Sequence, residues 1–154
     1  MSVKKTVKTQ LIGKLNQAST QLKGLYNPPQ GWLLSLRTAL GMSMAEVAGR
    51  VGVSRSAIYQ AEKQELSSSI TLKQMQKLAQ AMGGRFVYAV VPETTVESII
   101  HQQAQKKAMA LVRNASEHMA LENQALTTEE NKKRIDELTQ ELIREMPSDF
   151  WVNK

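Results

Sequence analysis

In the stretch "VGVSRSAIYQAEK", Val51 to Lys63, serines, arginine, tyrosine, glutamine and lysine crowd into the few residues after a glycine turn. Their shared chemistry is hydrogen bonding. Arginine donates a pair of parallel bonds, glutamine donates and accepts, and a hydroxyl does either. Residue types suited to covalent or metal chemistry are scarce by comparison. The chain has no cysteine, and so no thiolate nucleophile, no cysteine zinc site and no disulfide scaffold. His101 and His118 are the only histidines and lie far from the i,i+4 spacing of a helical metal pair. No Ser-His-Asp context, glycine-rich phosphate loop or paired carboxylates at a strand end stands out. The methionines, Met42, Met44, Met75 and Met82 among them, fall at helical core spacing and read as packing. The expectation is a protein that is not an enzyme, with no cofactor and no metal.

The elements that would carry these side chains are helices. In "SMAEVAGRVGVSRSAIYQAEK" one helix starts at Ser43 and turns inward Ala45, Val47 and Ala48. Small Ala48 permits close approach, and Gly52 can take the positive φ that a sharp turn needs. A second helix then starts at Ser54, with Val51, Val53, Ala57 and Ile58 placed to close the core between the two. Together they predict a helix-turn-helix unit.

Four sites carry a Ser or Thr followed three residues later by Glu or Gln, a reciprocal capping pattern: Ser43/Glu46, Thr71/Gln74, Thr94/Glu97 and Thr127/Glu130. Helices are therefore expected from Ser43, from Thr71 to Met82, from Thr94 to about Gln124, and from Thr127 to Met146. Another runs from near Gly31 to Gly41, with Trp32 as a core anchor. The N-terminal segment aligns Leu11, Leu15, Ala18, Leu22 and Leu25 on one stripe and stops before Asn27-Pro28-Pro29. "RFVYAVVP" differs in kind, since its β-branched and aromatic residues predict a strand over 85–91. A lone strand needs a partner. Phe86, Val87, Tyr88 and Val90 would pair with the same strand of a second copy, making a homodimer, or the segment lies extended on the helical core.

Charge divides the chain. Residues 1–30 hold five lysines and no acid, residues 31–92 are net basic, and residues 93–154 are net acidic. A basic front suits a polyanion, and an acidic back suits a different partner. "FVYAVV" is too short to cross a bilayer, and no apolar secretory core opens the chain, so a cytoplasmic protein with no membrane contact is expected. Residues 1–30 form a basic N-terminal helix and proline linker. Residues 31–92 form the helix-turn-helix domain, with the dimerising strand at 85–91. Residues 93–154 form a C-terminal helical arm for a partner. The fold class is all-α with one short β-strand.

From about Gly31 to Gly83 the chain resembles the phage-repressor (Xre-like) type of helix-turn-helix domain, in the spacing of Gly52, the inward aliphatics and the flanking helices. The resemblance implies that Arg55, Ser56 and Gln60 meet base edges of double-stranded DNA, with Tyr59 at the backbone or a thymine methyl. Arginine suits guanine, glutamine suits adenine, and serine suits either. Ser43, Ser54 and Lys63 would hold phosphates. A dimer would read a palindromic operator.

Over nearly its whole length, about residue 8 to Trp151, the chain also resembles the family called mobile mystery protein A. The stretches that carry this are "PPQGWLLSLRTALGMSMAEVA", "ITLKQMQKLAQAMGGRFVYAVVP" and "HMALENQ". Such proteins are typically encoded beside a Fic-domain protein, and Fic domains generally transfer AMP to protein hydroxyls. The resemblance therefore implies an antitoxin-like autorepressor with a Fic-domain toxin as partner, or primarily an inhibitor of that transferase. Fic inhibitors carry a Ser/Thr, three residues, Glu, then Gly/Asn. "HMALEN" places Glu122 and Asn123 in that pattern, with His118 where Ser or Thr belongs.

Overall fold

In the computed structural model, residues 2–121 and 127–153 are described. Among them the chain forms seven α-helices, α1 (Val3–Gln21), α2 (Trp32–Ala39), α3 (Met44–Val51), α4 (Arg55–Leu66), α5 (Leu72–Ala81), α6 (Val96–Leu121) and α7 (Thr128–Glu145). They divide into two compact units, residues 24–90 and residues 1–23 with 91–154.

The unit of residues 24–90 packs α2 to α5 around Leu33, Val47, Ala48, Ile58, Ala61, Met75, Leu78 and Met82. Local chemistry sets each boundary. Ser43 and Glu46 complete the capping box that starts α3, and Gly52 ends it in the left-handed region at φ 79°. Thr71 accepts from the Gln74 amide to start α5. Gly31 is required for two reasons: its φ is 89°, and a Cβ there would come within 3.0 Å of the Glu65 carboxylate. That carboxylate accepts from the Trp32 and Leu33 amides at 2.7 and 2.9 Å, so α4 caps the first turn of α2. Beneath it, Arg37 and Glu62 form a bidentate pair, Nε to Oε1 at 2.6 Å and Nη2 to Oε2 at 3.3 Å, while Nη1 donates to the Met42 carbonyl. Trp32 is not the expected core anchor. Its ring is partly exposed and donates to Asn27 Oδ1 at 2.9 Å, and Leu33, one position on, takes the buried place.

The expected strand is absent. Among the described residues no strand forms, and 84–92 carries no regular secondary structure. A strand requires a ladder, and every other regular element described is helical. Phe86 instead packs on the core, its ring stacked on that of Tyr88 at 5.7 Å, while Val87 and Val90 are exposed. This matches the alternative of a short segment lying on the helical core.

In the other unit α6 and α7 run antiparallel. Ser116 meets Asn131 at one end, and Gln103 donates to the Phe150 carbonyl at the other. Ala104, Ala108 and Val112 recur every fourth residue along the buried face of α6. The α6 cap also moves by one residue, with Thr95, not Thr94, accepting from Ser98. Asn16 of α1 accounts for the shift: its Oδ1 accepts from the Val96 amide at 2.9 Å and its Nδ2 donates to Glu97 at 2.8 Å. Glu97, expected to close a capping box with Thr94, is thus engaged elsewhere. The Asn16 bond, followed by the Glu97 amide, holds this carboxyl below the usual glutamate range. Its contribution is present at neutral pH and is lost only as pH falls through that lowered value. Because α1 docks through Asn16 and Ser19, Leu11 and Leu15 of its stripe stay exposed, and Leu25, beyond the end of the helix, is exposed as well.

Candidate nucleic-acid interface

Helix α4 is divided lengthwise. Ile58, Ala61 and Glu62 are buried, whereas Arg55, Ser56, Tyr59, Gln60 and Lys63 are exposed. The spacing explains the division, because positions i, i+1, i+4, i+5 and i+8 share one face of a helix. Three features fix this ridge in place. Ser54 Oγ accepts from the Ala57 amide at 3.1 Å and starts the helix. Gly52 and Val53 both donate to the Ala48 carbonyl, at 2.8 and 3.0 Å, which tightens the turn from α3. Ile58 and Ala61 anchor the opposite face in the core.

The ridge is rich in unspent donors. Among the described residues the side chains of Arg55, Ser56 and Gln60 make no hydrogen bond or ion pair, and the amides of Arg55 and Ser56 lie in the helix's open first turn. Tyr59 and Lys63 contact each other, the Lys63 Nζ lying 5.0 Å from the ring centroid. The tyrosine raises the lysine pKa above its ordinary value, by hydrogen bonding first and charge attraction second. Ser43 sits exposed at the start of α3 with its hydroxyl oxygen accepting from Glu46, which leaves its O–H free to donate. Lys73 and Lys77 on α5 and Arg85 are exposed as well, keeping this unit basic.

All seven residues expected at a duplex are therefore exposed; Ser54, Arg55, Ser56, Tyr59, Gln60 and Lys63 follow one another along α4 and its cap, whereas Ser43 stands at the end of α3 away from the turn. Glu122 and Asn123 fall outside the described residues. Among the described residues no cluster of His, Asp or Glu could hold a metal, and no helix is long and apolar enough to cross a membrane. Two groups escaped the sequence reading, the Arg37–Glu62 pair and the Glu65 cap. Their signal was present: Glu62 and Glu65 continue the stripe of Ile58 and Ala61, where an acid facing a core demands a partner.

Residues 33–88 match the model of the helix-turn-helix family. No curated protein and no solved structure matches the chain. The matched segment covers α2 to α5 and the turn that presents the α4 ridge. Residues 33–88 are thus an Xre-like helix-turn-helix domain, the kind found in DNA-binding regulators.

Proposed function

We propose that the chain is a sequence-specific DNA-binding transcriptional regulator that acts by binding and not by catalysis. The observation that carries this is the exposed α4 ridge, whose Arg55 and Gln60 have no partner within the described chain. In a major groove Arg55 can donate two bonds to guanine, Gln60 can pair with adenine, and Ser56 can serve either. Tyr59 lies against the backbone or a thymine methyl. Ser43 and Ser54, at the starts of α3 and α4, meet phosphates together with Lys63. Two copies on a palindromic duplex place their α4 helices about 34 Å apart. The exposed Val87, Tyr88 and Val90 are available to join the two copies.

Arg55→Ala is expected to cost about 1–3 kcal/mol of binding and to relax preference at one base pair of each half-site. Titration against duplexes varied one base pair at a time measures both. An equal loss on every sequence assigns Arg55 to a phosphate instead.

A finer reading rests on the resemblance to the mobile mystery protein A family: an antitoxin-like autorepressor of an operon that encodes a Fic toxin. Its alternative is a protein whose main task is inhibiting that transferase. The net-acidic segment 93–154 supports a protein partner distinct from DNA. In this reading Glu122, followed by Asn123, pairs with an arginine of the transferase. Co-expression with the Fic protein encoded beside it is expected to show AMP transfer suppressed by the wild type and released by Glu122→Gly. Equal suppression by both removes Glu122 from the role.

A further inference from the structure

Lys63 follows Tyr59 by one helical turn on α4, and helical side chains lean toward the N-terminus. The lysine stem therefore folds back over the tyrosine, bringing its ammonium to 5.0 Å from the ring centroid, within cation–π reach. Tyr59 is 43% exposed, in line with Arg55, Ser56 and Gln60. An aromatic ring on a helix surface can otherwise swing between rotamers. A cation over one face restrains that swing and leaves the ring edge and the other face open.

We propose that Lys63 is a positioning residue: by holding the Tyr59 ring from one side, it sets that ring against the C5 methyl group of a thymine. The duplex is then read partly by an apolar contact beside the polar contacts of Arg55 and Gln60. The inference rests on the DNA-binding reading above. It gives Lys63 a task separate from any phosphate contact, since a phosphate contact carries no information about a methyl group.

The test uses the full chain and a duplex it selects from a random-sequence pool, resynthesised with each thymine replaced in turn by deoxyuridine. That exchange removes only the methyl. At one thymine of each half-site the wild type is expected to lose about three- to five-fold in affinity, the value of one buried methyl group. Lys63→Met and Tyr59→Ala are expected to bring the thymine-to-uracil ratio close to one. Lys63→Arg restores the ratio, because a guanidinium also stacks on tyrosine. The proposal is overturned if Lys63→Met weakens binding to all duplexes alike with the ratio unchanged, or if no thymine is methyl-sensitive in the wild type. In both cases the selected duplex still upholds DNA reading. Failure of the pool to yield any preferred sequence overturns that reading and this inference with it.

Discussion

Glu62→Ala is expected to unfold the helix-turn-helix unit near ordinary growth temperatures. Arg37 and Glu62 are only 12% and 10% exposed in their side chains and meet through two parallel contacts. Removing the carboxylate strands a guanidinium inside the unit, with the Met42 carbonyl as its remaining acceptor. Such a loss costs about 3–5 kcal/mol. A unit of this size holds about 3–10 kcal/mol in all, so the cost consumes most of its stability. The damage also spreads locally, because Glu62 sits one turn from Glu65, whose carboxylate caps α2. Replacing both partners with apolar residues, Arg37→Met with Glu62→Leu, removes the stranded charge and is expected to recover most of the loss. Urea unfolding of the single and double variants measures the difference. A Glu62→Ala cost below about 1 kcal/mol would mean that water reaches the pair and screens it.

The second large effect belongs to the other unit. Phe150→Ala is expected to destabilise the unit of α1, α6 and α7 by about 3–5 kcal/mol. Phe150 is 1% exposed, the Gln103 amide donates to its carbonyl at 2.7 Å, and Lys107 donates to the carbonyl of Asp149 beside it. The segment after α7 therefore closes one end of the helix pair, with one aromatic ring as its anchor. Trp151, edge-on to that ring but 54% exposed, is expected to tolerate alanine with little loss. Its indole also supplies the readout. With Trp32→Phe as background, fluorescence follows Trp151 alone during urea unfolding. A cost for Phe150→Ala below about 1 kcal/mol would show that the terminal segment adds nothing to this unit.

Much of the fold was legible because local chemistry and tertiary packing agree. The capping boxes at Ser43 and Thr127, the left-handed glycine at Gly52 and the stripe of Val47, Ala48 and Ile58 all specify the same helices that the core then holds. Misreadings occurred where a distant residue overrides a local pattern. Thr94 and Glu97 form a sound capping pair in isolation, but Asn16 of α1 claims both the Val96 amide and the Glu97 carboxylate, and Thr95 caps instead. The leucines of α1 resemble a core stripe, yet this helix docks through Asn16 and Ser19, which only hydrogen-bonding geometry reveals. "RFVYAVVP" has strand composition without a strand partner, so composition alone misled. The candidate site was legible for a different reason. A ridge that is polar at i, i+1, i+4, i+5 and i+8 of a helix cannot also face an apolar core.

Base reading by the α4 ridge is what separates a sequence-specific regulator from a protein that merely coats DNA. The most direct measurement is selection of duplexes from a random pool by the wild type and by a variant carrying Arg55→Ala and Gln60→Ala, with binding followed over a range of salt. The wild type is expected to enrich a palindrome whose half-site centres lie about 34 Å apart. The variant is expected to keep salt-dependent binding while losing the enriched sequence, because its phosphate contacts remain and its base contacts are gone. Enrichment of the same palindrome by both proteins, or of no sequence by the wild type, would contradict the account.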